Sequence, residues 1–194
     1  VMGYVKWAIR GLFWLLVIAF LHYTLPQHDV ARITDTYEKR VSPGSNAMFW
    51  SNADTGEATD VNVRDVFFVQ AFRTDDKPMI YRNEDTGWGW PPYFKFDTSN
   101  LQAEASDLIS KKNDANPQWV VVRHYGWRNE FLSIYPNAVS IWAVESPDVR
   151  IIPWVKIVLL TLLAALYWAI RVRWMRFRKQ RIEPKVDEWT DGWA

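Results

Sequence analysis

Two apolar segments constrain the fold of this 194-residue sequence more than any other feature. Residues 11–25 (GLFWLLVIAFLHYTL) reach the roughly 20 residues that a ~30 Å hydrocarbon layer requires only if residues 7–10 lie at one interface. Residues 151–170 have the full length, and Trp154 and Trp168 bracket their apolar core as an aromatic belt does. We therefore expect two transmembrane helices.

Each segment also has a competing interpretation. The first has the basic start and apolar core of a secretory signal peptide. The small-residue cleavage site of such peptides is missing, however, because Leu-His-Tyr-Thr-Leu-Pro follows the core. The second has the composition of a buried helix in a soluble protein, but basic residues flank it as they flank a membrane span. We favour the membrane interpretation for both segments.

The charge is distributed unevenly, although the formal net charge is only +1. Residues 25–150 carry 13 Lys and Arg against 18 Asp and Glu, whereas residues 1–24 have a balance of +2 and residues 151–194 one of +4. Short basic flanks stay on the cytoplasmic side of a membrane. We therefore expect both ends in the cytoplasm of a bacterium, the spans in its inner membrane and the acidic middle in the periplasm.

The basic residues beside the spans are candidates for contact with lipid headgroups. Long basic side chains snorkel to the membrane surface, and anionic lipids attract them by roughly 1 kcal/mol per residue. Anionic lipid is therefore an expected partner, and nucleic acid is not. The candidate residues are Lys6, Arg10, Arg171, Arg173, Arg176, Arg178, Lys179 and Arg181.

The middle of the chain has the pattern of a small α+β domain, an antiparallel sheet with one helix. Residues 42–62, rich in Gly, Ser, Asn and Asp, are predicted to be a loop. The predicted strands or extended segments are residues 28–41, 66–72, 79–82, 118–125, 130–135 and 138–145. The predicted organisation is a transmembrane helix at 1–26, a periplasmic domain at 27–150, a transmembrane helix at 151–171, and a basic cytoplasmic extension of that helix with an acidic, aromatic tail at 172–194.

One helix is predicted within this domain, ending by residues 113–117. Ser99 with Gln102 has the pattern of a capping box at its start. Apolar residues then recur on one helical face. The residues on that face are Leu101, Ala105, Leu108 and Ile109.

The sequence carries no signature of a cofactor or metal site, and no cofactor is expected. It contains no Cys, which excludes thiol catalysis and Cys-ligated zinc or iron–sulfur centres. Gly-rich phosphate loops and the G-x-S-x-G and H-E-x-x-H motifs are also missing. We interpret Asp54, Glu57 and Asp60 as a solvated acidic loop, because they lack the alternating spacing of a calcium loop.

Residues 120–142 (VVVRHYGWRNEFLSIYPNAVSIW) concentrate polar side chains among apolar ones. His124 as a base, oriented by Glu130 and with Tyr125 beside it, would suit acid–base chemistry. The pattern indicates neither a pocket nor a third component. We therefore favour a structural role, in which alternate residues pack inward and Arg and Glu pair at the turn.

Two motifs in this segment, YGWR at residues 125–128 and YPNAVSI at residues 135–141, resemble an uncharacterised family. It is one of the domain-of-unknown-function families of alphaproteobacterial two-span membrane proteins, whose members have YGWR and then an FPNAVSV-like segment. Tyr135 and Ile141 are mild departures. The resemblance covers most of the chain. It implies two spans with a domain between them and implies no activity.

Two aromatic groups and one line of small residues are candidate contact surfaces. Trp88 and Trp90 lie beside Pro91 and Pro92, a combination typical of either a packed turn or a platform for a ligand or partner. Small residues every four positions let another helix approach closely, although Ala is common in spans. The candidate partner-binding residues are Trp88, Trp90, Tyr93, Trp189 and Trp193, and the candidate helix-packing residues are Thr161, Ala165 and Ala169.

These patterns favour a non-enzymatic accessory or scaffold subunit that binds a larger membrane protein complex, respiratory or photosynthetic in type. Two alternatives stay open. The first is a periplasmic sensor of a ligand or of the envelope, for whose output the short cytoplasmic extension offers little room. The second is a membrane-anchored enzyme that uses His124, Tyr125 and Glu130.

Overall fold

The computed structural model describes residues 2–42, 49–50 and 63–183. The chain forms two compact units, Val1–Ile152 and Pro153–Ala194. Most of the predicted loop at residues 42–62 lies outside the described residues. So do the acidic triplet and two candidate partner-binding residues, which are Asp54, Glu57, Asp60, Trp189 and Trp193.

The first unit begins with α1, Met2–Thr24, a helix long and apolar enough to cross a membrane. Its 23 residues, at 1.5 Å each, span roughly 34 Å. The Arg10 guanidinium lies over the ring of Trp7, 5.5 Å from its centroid, in the region predicted to meet one interface. The helix therefore includes the basic residues that precede the apolar segment.

Five strands form a closed barrel after α1. They are β1, Gln27–Val41; β2, Arg64–Arg73; β3, Pro78–Asn83; β4, Trp119–Tyr125; and β5, Asn137–Val144. The order round the barrel is β1-β2-β3-β5-β4, and β4 pairs with β1. Neighbouring strands are antiparallel except β3 and β5, which are parallel and pair at Arg82 and Asn137. The predicted antiparallel sheet is thus a closed barrel with one parallel contact.

The barrel closes because β1 is long enough to pair on both sides. Residues 27–31 pair with β4, and residues 31–41 pair with β2. The register between β1 and β2 shifts between Ile33 and Asp35, and irregularities of this kind bend a strand. The OB fold is one architecture built on a five-stranded barrel, and architecture alone assigns no ligand.

Between β3 and β4 lies α2, Thr98–Asp107. Its N-cap is Asp97, whose carboxylate accepts a hydrogen bond of 2.9 Å from the backbone N–H of Asn100. The predicted cap at Ser99 is therefore wrong. Both residue types cap helices well, and the aspartate, which comes first along the chain, satisfies the free N–H.

The apolar face of α2 packs against the barrel core. Leu101 and Ala105 are buried there and Leu108 is partly buried, as predicted, whereas Ile109 lies beyond the helix end and is exposed. Burying a Val, Leu or Ile side chain contributes roughly 1.5–3 kcal/mol. The strands contribute Ala31, Ile33, Val69, Ala71, Met79, Tyr81, Val120, Val122, Ala138 and Ile141 to the same core.

The predicted strand at residues 130–135 is wrong, since this stretch is a turn between β4 and β5. Asn129 and Ile134 form an isolated pair of backbone hydrogen bonds. The Asn129 side-chain oxygen accepts from the N–H of Leu132, and Ser133 adopts a positive φ of 51°. Local side-chain capping of this kind competes with strand pairing. The other five predicted strands match β1 to β5 within two residues at each end.

The second unit is dominated by α3, Trp154–Phe177, which continues as a π-helical turn, Arg178–Ile182. Pro153 occupies the N-cap position, as its place near the start of the predicted span suggests. By length and composition, residues Trp154–Ile182 could cross a membrane. No side chain of α3 is buried. The helical structure extends past the predicted end of the span at residue 171, so the described part of the basic extension is helical.

Candidate functional site

The YGWR motif lies where the barrel meets the end of α1. Gly126 follows β4 and donates its N–H to the Tyr23 carbonyl at 2.9 Å. Its φ is +95°, and a Cβ at this position would lie 3.4 Å from Pro136 Cα and 3.6 Å from the Tyr23 ring. The backbone conformation therefore favours glycine, whereas an added Cβ would only make ordinary van der Waals contacts with Pro136 and Tyr23.

Aromatic neighbours reinforce this contact. The Tyr93 hydroxyl donates to the Thr24 carbonyl at 2.7 Å, and the Tyr93 ring stacks on Tyr125, with centroids 4.9 Å apart. Trp127 donates its indole N–H to His22 Nδ1 at 2.9 Å. These hydrogen bonds fix the last turn of α1 to the barrel, and we call the region the helix–barrel junction.

The YPNAVSI motif closes the barrel beside this junction. Asn137 pairs with the backbone of Glu84 in both directions, accepting from its N–H at 2.9 Å and donating to its carbonyl at 3.0 Å. The same amide donates to the Tyr125 hydroxyl, and Arg82 donates its N–H to the Pro136 carbonyl. The side chain of Asn137 thus extends the short parallel contact between β3 and β5.

A charged cluster lies in the barrel wall next to Asn137. Glu84 accepts from Arg82 at 2.9 Å and from Arg64 at 2.7 Å. Both guanidinium groups lie over the ring of Trp50, at 5.4 and 5.8 Å from its centroid. The Arg82 side chain is only 2% exposed. The ion pair with Glu84 compensates the buried charge of Arg82, because a buried charge without a partner is destabilising.

Lys95 is a second buried cation near this cluster. Its ammonium group donates to the Asn83 side-chain oxygen and, at 2.9 Å, to the Ala138 carbonyl. Burial lowers the pKa of Lys95 to about 7, against the attraction of Asp85 and Glu84. The unfolded chain therefore binds more protons than the folded chain between pH 7 and the ordinary lysine value of 10.5, and this group makes stability rise with pH across that window.

His124 belongs to a separate buried cluster. Its Nε2 lies 3.1 Å from Asp29 Oδ2, and the Tyr81 hydroxyl donates to the same oxygen at 2.7 Å. Burial raises the pKa of Asp29, but the hydrogen bonds from His124 and Tyr81 and the attraction of His124 together hold it below its ordinary value. Asp29 therefore stabilises the fold at neutral pH, and this contribution is lost as the pH falls through its lowered pKa.

The acid–base pair considered from the sequence is not assembled. Glu130, the proposed orienter of His124, is exposed and lies 3.8 Å from Arg128 at the turn. The His124 side chain is 4% exposed, and its nearest acidic partner is Asp29. Arg and Glu do pair at the turn, as the structural interpretation expects. Tyr125 packs at the helix–barrel junction instead of beside a catalytic pair.

The aromatic loop after β3 places the candidate partner-binding residues Trp88, Trp90 and Tyr93 in different environments. Trp88 is 84% exposed and Trp90 is 66% exposed. Tyr93 is turned inward to the junction. The Trp90 ring stacks on Phe20 of α1, with centroids 5.7 Å apart and planes 10° apart. Trp88 and Trp90 thus form an outward surface, which Tyr93 supports from behind.

The candidate residues of α3 all lie on exposed parts of that helix. The Thr161 hydroxyl is bonded to the Ile157 carbonyl at 2.9 Å, so its methyl group remains available for packing with Ala165 and Ala169. Arg178 pairs with Glu183 at 3.4 Å across the π-helical turn. The candidate headgroup residues in this helix, all described, are Arg171, Arg173, Arg176, Arg178, Lys179 and Arg181.

Residues 2–42, 49–50 and 63–183 contain no group of three or more His, Asp or Glu side chains that could hold a metal ion. The clustered polar residues in this part of the chain pair with one another instead. The sequence pattern does not mark Asp29, Arg82, Glu84 or Lys95 as functional residues, and it marks Asn137 only as part of the YPNAVSI motif. In the sequence each of these residues is a polar residue in or next to an apolar strand. That pattern does not show which side chain the residue contacts.

Comparison with known proteins agrees with the motif-level resemblance. A family described as "Protein of unknown function (DUF1523)" matches residues 2–178. A Haemophilus influenzae protein described as "Uncharacterized protein" is 36% identical over 171 residues, covering 87% of this chain and 91% of that protein. No solved structure matches. The predicted restriction to alphaproteobacteria is not supported by these matches. The chain belongs to the DUF1523 family.

Proposed function

We propose that this protein is a non-enzymatic accessory or scaffold subunit of a bacterial inner membrane. In this proposal α1 and α3 are transmembrane spans, the barrel is periplasmic and both ends are cytoplasmic. The partner is a larger membrane protein complex, for which a respiratory or photosynthetic assembly is the type we envisage. The flanking Lys and Arg side chains contact anionic lipid headgroups.

The helix–barrel junction is the observation that carries this proposal. Gly126, Tyr93 and Trp127 each hold the last turn of α1 by a hydrogen bond of 2.7–2.9 Å. A barrel joined in this way keeps a fixed orientation on its helix. A scaffold needs this property, because it must present its surface at a constant height above the membrane.

The exposed line of small residues on α3 supports a helical partner. Thr161, Ala165 and Ala169 recur every four residues, and no side chain of α3 is buried in the described chain. Small side chains allow two helix backbones to approach closely within lipid, where packing and not the hydrophobic effect drives association.

The buried state of the polar clusters supports the non-enzymatic part of the proposal. The residues with the most acid–base character, His124 and Tyr81, are 3% and 0% exposed. An acid–base group must reach the proton that it transfers, directly or through one water molecule. In this barrel the hydrogen bonds of these side chains are directed to Asp29.

The proposal is tested by purification from the native membrane in a mild detergent, with quantification of what co-purifies. The full chain carries an affinity tag, and three forms are compared: wild type, the double variant Ala165→Leu/Ala169→Leu, and Ala164→Leu. The control introduces a single Ala→Leu change about 100° away round the helix from Ala165. We expect wild type and control to retain one membrane complex at a fixed ratio, and the double variant to lose most of it.

A wild-type protein that purifies with no stoichiometric partner would overturn the accessory-subunit proposal and would favour the sensor or the enzyme. Equal loss in the double variant and in Ala164→Leu would argue against a specific helix-packing surface at Thr161, Ala165 and Ala169.

A further inference from the structure

The two ends of the loop of residues 86–96 are joined by hydrogen bonds, and the polar ends of its Tyr93 and Lys95 side chains point inward. The N–H groups of Thr86 and Gly87 both donate to the Lys95 carbonyl at 3.0 Å, which joins the two ends of the loop. The side chain of Lys95 reaches into the barrel, and Tyr93 donates to α1. The loop therefore has a rigid base on the barrel.

Four aromatic side chains of this loop are exposed, and three of them contact one another. The Trp88 ring lies 5.4 Å from Phe94 and 5.7 Å from Phe96, centroid to centroid. Phe94 holds a positive φ of 52°, a conformation that non-glycine residues adopt only when the surrounding structure imposes it. We call Trp88, Trp90, Phe94 and Phe96 the aromatic tip; all four are more than half exposed.

The depth of the aromatic tip is fixed by its contact with α1. Trp90 stacks on Phe20, which lies four residues before the end of the helix at Thr24. At 1.5 Å per residue, Phe20 lies roughly 6 Å before the last helical residue. Trp90, the member of the tip that contacts α1, therefore lies beside the last turns of the helix.

The length of α1 places Phe20 within the membrane. A ~30 Å hydrocarbon layer requires roughly 20 helical residues. Counted from Gly3, such a layer reaches residue 22; counted from Arg10, it extends beyond the helix end at Thr24. Phe20 lies inside the layer in both cases, and tilting the helix would only move the boundary further along the chain. The stacked ring of Trp90 shares this depth.

We propose that the aromatic tip inserts into the membrane interface, with the boundary between lipid headgroups and acyl chains as its occupant. The inference rests on the proposed membrane location of α1. Trp and Phe suit this boundary, because Trp combines a large apolar ring with a polar N–H. Trp88 and Trp90, which the sequence marks as candidate partner-binding residues, thus bind lipid and extend the short apolar stretch of α1.

The test uses spin labels on the full chain, which has no native Cys to interfere. Single variants Trp88→Cys, Phe96→Cys, Leu16→Cys and Ala103→Cys are labelled and placed in vesicles of phosphatidylethanolamine and phosphatidylglycerol. Collision with oxygen, which concentrates in lipid, is compared with collision with a water-soluble nickel chelate. Circular dichroism identical to wild type shows that each variant has folded.

We expect oxygen to dominate at Trp88, at Phe96 and at Leu16 within α1. We expect the nickel chelate to dominate at Ala103, an exposed position on α2. Lipid contact at Leu16 but water contact at either tip position would overturn the aromatic-tip proposal while leaving the membrane location of α1 intact. Water contact at Leu16 would instead refute that location. Because no other protein is present, a protein partner cannot produce the expected result.

Discussion

Glu84 illustrates how much a single side chain contributes to this barrel. It lies just after β3, where its carboxylate forms ion pairs with Arg82 and Arg64. Its backbone N–H and carbonyl are hydrogen-bonded to the side-chain amide of Asn137. One residue therefore compensates a buried charge and extends the contact between β3 and β5. The aromatic ring of Trp50 covers both guanidinium groups.

Replacing Glu84 with Gln should destabilise the barrel by about 3–5 kcal/mol, because removing one partner leaves the buried Arg82 charge without compensation. The free energy of unfolding is measured in detergent through the near-ultraviolet circular dichroism of the full chain. The matched control is Asp76→Asn, which breaks the exposed pair between Asp76 and Lys112. Exposed pairs contribute only about 0–1 kcal/mol, and Asn tolerates the positive φ of 56° at this position. Equal losses in the two variants would contradict this account of Glu84.

Among the elements, those defined by local patterns could be predicted from the sequence, and those defined by distant contacts could not. The apolar run in β2 and the spacing of Leu101 and Ala105 in α2 mark these elements directly. Closure of the barrel depends on Arg82 pairing with Asn137, far along the chain. Within the candidate site, the YGWR motif was identified, but its role required knowing that Tyr23 lies against it.

Two errors in the predicted elements have the same physical origin. Residues 130–135 are rich in apolar and aromatic residues, as strands are, but the side chain of Asn129 caps the Leu132 N–H and holds a turn. Likewise, Ser99 has the pattern of a helix cap, but Asp97 performs that function. In both cases a short polar side chain bonds to a nearby backbone group, and the apolar pattern carries no information about such bonds.

At the helix–barrel junction, Gly126→Ala should lower the free energy of unfolding by about 1–3 kcal/mol, because it imposes a side chain on a strained positive φ. The added Cβ would lie in ordinary van der Waals contact with Pro136 and Tyr23, so the backbone conformation accounts for the loss. Hydrogen exchange should therefore accelerate at the Gly126 amide and in the last turn of α1. Gly11→Ala is the control, since an added Cβ meets nothing within 4 Å there. An unchanged exchange rate in Gly126→Ala would show that the junction does not depend on this glycine.

For the whole molecule, the charge pattern and the two long helices lead to one arrangement. The acidic barrel domain lies between two basic ends, each next to a helix of membrane-spanning length. Under the proposed topology, the positive-inside rule predicts cytoplasmic ends and a periplasmic barrel. Under this arrangement the aromatic tip faces the outer surface of the membrane, and the basic end of α3 faces the anionic cytoplasmic surface.

This topology predicts the accessibility of single introduced cysteines, which report cleanly because the native sequence contains none. Ala103→Cys, on the exposed face of α2, should react with a membrane-impermeant maleimide in cells whose outer membrane alone has been opened. Gln180→Cys, in the π-helical turn, should react only after the inner membrane is disrupted, because the proposed topology assigns this basic segment to the cytoplasm. Labelling of Gln180→Cys before disruption, with Ala103→Cys protected, would reverse the topology. Equal labelling of both before disruption would place the two positions on the same side, so α3 could not be a membrane span.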